Sequence, residues 1–210
     1  MYPISLDLKQ IRVGLVGRGF RAVRRLALLD AEAAGDVRVF SDAPSPELLG
    51  RAGKRLTPRL PFVEDLRRLQ VLFIADLDWK TASRLAERAD RIGLIVNVED
   101  ETKLSTFHSA AALRRGDFTV AISTNGKSPA MASLLRRHLE GLFGPDWERQ
   151  AVAAAERRQR LKREGADGQR ILAETSLLMG LPAPRHAPAP VANDNAIPAA
   201  AAQEEPRRFS

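Results

Sequence analysis

Two periods of apolar residues alternate along the first hundred or so positions of the chain. Val13–Val16, Val37–Phe40, Val71–Ala75 and Leu94–Val98 are short, apolar, largely β-branched runs, and each predicts a buried strand. Between them, Arg21–Ala34 and Thr81–Ala89 carry helical spacing; in the second, Ala82, Leu85, Ala86 and Ala89 share one side. Apolar strands separated by helical stretches predict a parallel sheet covered on both faces, hence an α/β domain. Phe118–Ser123 predicts another strand. Ala130–Phe143 predicts an amphipathic helix with Met131, Leu134, Leu135, Leu139 and Leu142 on its apolar side, stopped by Gly144-Pro145. Ala151–Gly165 and Gln169–Leu178 predict two charged helices joined by Ala166-Asp167-Gly168.

Composition changes this picture in three ways. From about Pro182 the residues are mainly Pro, Ala, Asn and Gln, which cannot bury enough apolar surface to offset ordering, so 181–210 is predicted as a disordered Pro/Ala-rich tail. The chain has no cysteine, which excludes a disulfide scaffold, a thiolate metal site and a cysteine nucleophile. It has no apolar run of about 18 residues, and its first residues lack a basic segment followed by an apolar one, so a soluble cytoplasmic protein is expected. The formal charge of +7 favours an anionic partner. It comes mostly from scattered arginines such as Arg67-Arg68, Arg114-Arg115 and Arg157-Arg158, which equally suit solvated helix faces; with no aromatic-interleaved basic motif, nucleic acid is not the expected partner.

Val13-Gly14-Leu15-Val16 runs directly into Gly17-Arg18-Gly19-Phe20-Arg21-Ala22 and a helix. Gly17 permits a tight turn and Gly19 a close approach to a pyrophosphate. Ala22 lets helix and strand pack closely, and the free amides at the helix start face the phosphates. Glycines also punctuate ordinary strand–helix turns, but the next strand ends in Asp42, twenty positions after Ala22, where a carboxylate can bind ribose hydroxyls and repel a 2′-phosphate. The order strand, loop, helix, strand, acid predicts dinucleotide binding, with NAD preferred to NADP.

Two more blocks stand out: Asn97-Val98-Glu99-Asp100-Glu101-Thr102-Lys103 with Phe107, and Val120-Ala121-Ile122-Ser123-Thr124-Asn125-Gly126-Lys127-Ser128-Pro129 leading into a helix. With Pro3-Ile4-Ser5-Leu6-Asp7-Leu8 and the glycine loop, in this order over roughly residues 3–143, the chain resembles the precorrin-2 dehydrogenase/sirohydrochlorin ferrochelatase family, the siroheme synthase N-terminal module. The resemblance implies a Rossmann-type parallel sheet with a small α+β dimerisation region and a short helical C-terminal region. The boundaries expected are 1–112 for the NAD-binding domain, 113–150 for the dimerisation region and 151–180 for the helical region. It implies a homodimer that oxidises precorrin-2 to sirohydrochlorin with NAD⁺, and in bifunctional members then inserts Fe²⁺ as substrate. A non-catalytic relative that binds NAD or a tetrapyrrole is the alternative.

By the same resemblance Asp100, which ends the Asn-Val-x-Asp motif, is the catalytic carboxylate, and Phe20, Arg21, Asp42 and Ala43 join Gly17, Gly19 and Ala22 around the cofactor, with Ala75 at its edge. Asn125, Gly126, Lys127 and Ser128 are expected to offer amides and one ammonium to a substrate rich in carboxylates. Asp100 is equally a turn cap after its strand, and Ser128-Pro129 is also a good helix start. Glu99 and Glu101 read as solvated neighbours, and His108 and His138 as minor and surface residues. The chain departs from the family at Ala75-Asp76-Leu77-Asp78, at Ser83 and at Ala110, and lacks the family's aromatic C-terminal signature, which bears on chelation more than on dehydrogenation.

Overall fold

The structure, a computed structural model, describes residues 2–32 and 34–182. The expected disordered tail, apart from Leu181 and Pro182, lies outside the described residues. Among these, five parallel strands form one sheet in the order β3-β2-β1-β4-β5: β1 Arg12–Gly17, β2 Asp36–Phe40, β3 Leu56–Thr57, β4 Val71–Ala75 and β5 Ile95–Val98. The two central strands, β1 and β4, are the most continuously apolar, because a parallel strand with helices on both faces has no polar side to offer. Helices α1 Phe20–Ala31, α2 Pro46–Ala52, α3 Val63–Leu66 and α4 Trp79–Asp90 cover the sheet. Side chains alternate across it as the strand period requires. Val13, Leu15, Val39, Val71 and Phe73 pack with Ala22, Leu26 and Leu29 of α1 and Leu48 of α2. Val16, Phe40, Leu72, Ile74, Val96 and Val98 pack with Leu66 of α3 and Ala82, Leu85, Ala86 and Ala89 of α4.

Most predicted strands and helices recur within a few residues. Helix α1 stops at Ala31, short of the expected Ala34, and the chain turns through Gly35 into β2. Helix α2, strand β3 and helix α3 carry no marked apolar period and are supplied by packing between β2 and β4. The winding of the sheet switches sides between β1 and β4: the first crossovers lead outward through β2 to β3, and the next returns to place β4 on the other side of β1. In an open parallel sheet this switch point leaves a crevice at the strand C-termini, between Gly17 and Ala75.

Strand β5 is an edge, and its free amides are met by side chains. Val96 N donates to Thr106 Oγ1 (2.7 Å) and Val98 N to Ser105 Oγ (2.9 Å). The buried Asn97 amide donates to Phe107 O at 3.0 Å. This segment protects the strand edge and fixes the course of the chain just after the acidic run. A two-stranded hairpin follows, β6 Ala111–Arg115 and β7 Phe118–Ile122, turning through Gly116 at φ 56°. Helices α5 Pro129–Leu142, α6 Asp146–Arg163 and α7 Gly168–Met179 complete the described chain.

Among the described residues the chain forms two compact units, one within 2–113 with 119–142, the other of 114–118 with 143–182. In the second, the rings of Phe118, Phe143 and Trp147 stack with centroids 4.7–5.3 Å apart, and Arg115 Nε donates to Phe143 O at 2.9 Å. Helix α6 begins at Asp146, earlier than the expected 151, and packs on α7 through buried Leu161 and the Arg157–Glu174 ion pair. No described helix is long and apolar enough to cross a membrane.

Candidate functional site

The crevice at the C-terminal edge of the sheet gathers most of the residues singled out from sequence. A Cβ on Gly17 would lie 2.5 Å from Ala75 O and 2.6 Å from the Ala22 methyl. No side chain fits there, and the small Ala22 is what lets α1 start against the strand. Ala75 is itself buried, so it backs the loop and does not line it. Phe20 stands largely in solvent at the first turn of α1, and Ala43 is exposed beyond β2.

The loop's charged groups are engaged with one another. Arg18, at the position between the glycines, forms a two-pronged ion pair with Asp42, Nε to Oδ1 and Nη2 to Oδ2, both 2.8 Å. This guanidinium holds the Asp42 carboxyl below the usual carboxylate range, and Asp42 in turn raises Arg18. Arg18 also lies 3.5 Å from Asp78, the N-cap of α4, whose pKa is lowered first by the backbone amide of Thr81. Arg21 reaches from the first turn of α1 to Asp100, 2.5 Å between Nη1 and Oδ2. Asp100 sits at φ 64°, a left-handed position Asp tolerates better than most residues, with its side chain 69% exposed.

Asp76 was visible in the sequence only as a departure after the third strand of the expected pattern. At φ 53° its carboxylate turns onto the start of α1, accepting from Arg21 N (2.6 Å) and Ala22 N (3.1 Å) through the same Oδ2. These are the amides expected to face a pyrophosphate. Gly19 lacks a cap side chain, and a Cβ there would lie 3.2 Å from Asp76 Oδ2. Glu99 is a second correction: it is not a solvated neighbour but turns inward, its Oε2 buried 4.0 Å from Arg25 Nη2. Arg25 lies over the Phe73 ring, and burial pushes its pKa down while Glu99 opposes this.

Of the expected substrate loop, Gly126 comes against Thr102 of the aspartate block. Asn125 and Gly126 take positive φ (52° and 78°), and a Cβ on Gly126 would lie 2.8 Å from Thr102 Cγ2, next to the aspartate block. Ser128 Oγ accepts from Met131 N at 3.3 Å and so caps α5, as its place before Pro129 predicts. Lys127 is exposed. His138 is exposed on α5, and His108 is half-buried. Among the described residues no group of three or more His, Asp or Glu gathers as a metal site.

The frame fits a dinucleotide: a close-approach glycine, a helix N-terminus with free amides once Asp76 is set aside, and an acid at the end of the second strand. Residues 4–111 match the family described as putative NAD(P)-binding, and residues 115–142 match the one described as sirohaem biosynthesis protein central. The chain belongs to the family described as putative NAD(P)-binding. Relatives in it include the siroheme synthases of Methylococcus capsulatus, 35% identical over 162 residues, and Psychromonas ingrahamii, 33% identical over 163. Each alignment covers 76% of this chain and 34% of the relative, so the chain spans about a third of the length of these curated relatives. A solved structure titled SirC, precorrin-2 dehydrogenase superposes with a TM-score of 0.64 at 23% identity, covering 85% of this chain and 89% of that one, and shows the shared fold.

Proposed function

We propose that the chain is an NAD-dependent precorrin-2 dehydrogenase of siroheme biosynthesis. The observation that carries this reading is the Arg21–Asp100 ion pair, which joins the helix of the cofactor loop to the candidate base. NAD⁺, when bound, supplies the hydride acceptor. Gly17, Gly19 and the first amides of α1 would hold its pyrophosphate, and Asp42 its ribose. Oxidation of precorrin-2 with loss of a hydride would leave one proton, which the Asp100 carboxylate would accept. Its exposure lets that proton pass on to water. The Asn125, Lys127 and Ser128 amides already donate to Ser123 Oγ, Thr124 O and Thr124 Oγ1, so it is the exposed Lys127 ammonium that is suited to a substrate carboxylate.

Incubating the protein with precorrin-2 and NAD⁺ and following the sirohydrochlorin spectrum tests the reading. Asp100→Ala should lose turnover by about 100-fold or more while keeping its affinity for NAD⁺; full activity in this variant refutes the base assignment. Insertion of Fe²⁺ is a further step of this reading, with the tetrapyrrole nitrogens as donors and Asp100 taking their protons. It is tested separately by adding Fe²⁺ or Co²⁺ to sirohydrochlorin. We also propose a cytoplasmic location, and a homodimer, the latter supported by the exposed apolar residues Met131, Leu134 and Leu142 of α5.

A further inference from the structure

The start of α1 is the one anion seat that the dinucleotide reading requires, and the chain already fills it with its own anion. Oδ2 of Asp76 accepts from both the Arg21 and Ala22 amides, at 2.6 and 3.1 Å, the first a short bond to an ionised acceptor. A pyrophosphate oxygen and this carboxylate cannot share those donors. The surrounding charge points the same way. Four carboxylates, Asp42, Asp76, Asp78 and Asp100, are joined in ion pairs to two guanidiniums, Arg18 and Arg21, so the network carries two uncompensated negative charges before any phosphate arrives. The left-handed φ of Asp76 and its largely covered side chain, 22% exposed, show the contact to be a seated one.

We propose that Asp76 is an internal competitor for the cofactor pyrophosphate, setting dinucleotide affinity by occupying the α1 amides in the free protein. This rests on the dinucleotide reading of the glycine loop. Binding then requires the carboxylate to leave the amides, and Arg21 Nε, 3.8 Å from Oδ1, is positioned to receive it. Small aliphatic residues at 76 would leave the seat free; an acid there makes affinity a difference between two anions.

The test is calorimetric titration of the full chain with NAD⁺ and, separately, with inorganic pyrophosphate. Asp76→Asn keeps an oxygen acceptor for the helix but removes the charge, and Asp76→Gly removes the side chain and suits φ 53°. Asp36→Asn removes the same charge at the opposite end of β2 and serves as control. Circular dichroism establishes which variants are folded. We expect either Asp76 variant to bind both probes at least about tenfold more tightly than wild type, with Asp36→Asn unchanged. Equal NAD⁺ affinity in wild type and both Asp76 variants overturns the competitor proposal and leaves the cofactor reading intact. An equal gain in Asp36→Asn reduces the effect to net charge and also overturns it. No NAD⁺ binding by any variant overturns the cofactor reading and the proposal with it.

Discussion

Gly17 shows most directly how a single residue shapes the crevice. Its missing side chain is required by Ala75 O on one side and Ala22 on the other, both closer than 3 Å to where a Cβ would sit. Gly17→Val should therefore push α1 from the strand and lower stability by about 1–3 kcal/mol, read as a fall in the urea midpoint. The same residue type at Gly19 answers to a different neighbour, the Asp76 carboxylate, a side chain that can move. Two glycines in one motif thus differ: the first is a demand of the fold, the second a demand of whatever occupies the helix start. Asp42, the acid that the spacing places at a ribose, likewise has a partner within the loop: Arg18 donates to both its oxygens. Residue types were legible in the sequence; their partners were not.

Among the elements, β5 and the segment after it form one device. The edge strand is closed by Ser105 and Thr106 hydroxyls and by the Asn97 amide reaching Phe107 O at 3.0 Å. Asn97 opens the motif that ends in Asp100, so its burial explains why an asparagine interrupts an otherwise apolar strand. Asn97→Ala should leave that carbonyl unpaired and cost about 1–3 kcal/mol by chemical denaturation. If catalysis loss accompanies it, Asp100 has lost its support; the two are separable by assaying below the unfolding transition. Helices with a strong apolar period were predicted well because helix and core face are written in the same local spacing. Helices α2 and α3, four to seven residues long, were missed because only tertiary packing and caps such as Ser45 and Asp65 hold them.

At the scale of the molecule, charge and exposed apolar surface make two further predictions. Asp42, Asp65 and Asp78 are all held below their ordinary values: Asp42 and Asp65 chiefly by Arg18 and Arg59, Asp78 chiefly by the Thr81 amide. Carboxyls with depressed folded values add stability that is fully present above the unfolded value, near pH 4, and is lost as pH falls through the folded ones. The melting temperature should therefore be flat in this respect from neutral pH to about 4 and fall steeply below, and Asp42→Asn should soften that fall. On α5 only Ala132 is buried, while Met131, Leu134, Leu135 and Leu142 are exposed, the reverse of the core-facing stripe that the period predicts. If this face serves the homodimer, Leu134→Glu should lower the sedimentation mass toward that of one chain without altering the circular dichroism spectrum.

The sequence by itself determined the parallel α/β sheet, the glycine loop between β1 and α1, and the block in which Asp100 follows Asn97. All of these rest on spacing within a few tens of residues, where backbone geometry leaves few choices. Only the tertiary structure decided which charges meet. Asp76 finds the amides of α1 because β1 and β4 lie side by side, which brings residues 55 apart in sequence within hydrogen-bond reach, and Arg21 finds Asp100 because β5 in turn pairs with β4. An ion pair depends on where two side chains end, and no local period records that. The glycine loop accordingly lies at the strand C-termini, with an aspartate on the α1 amides that only the folded chain reveals.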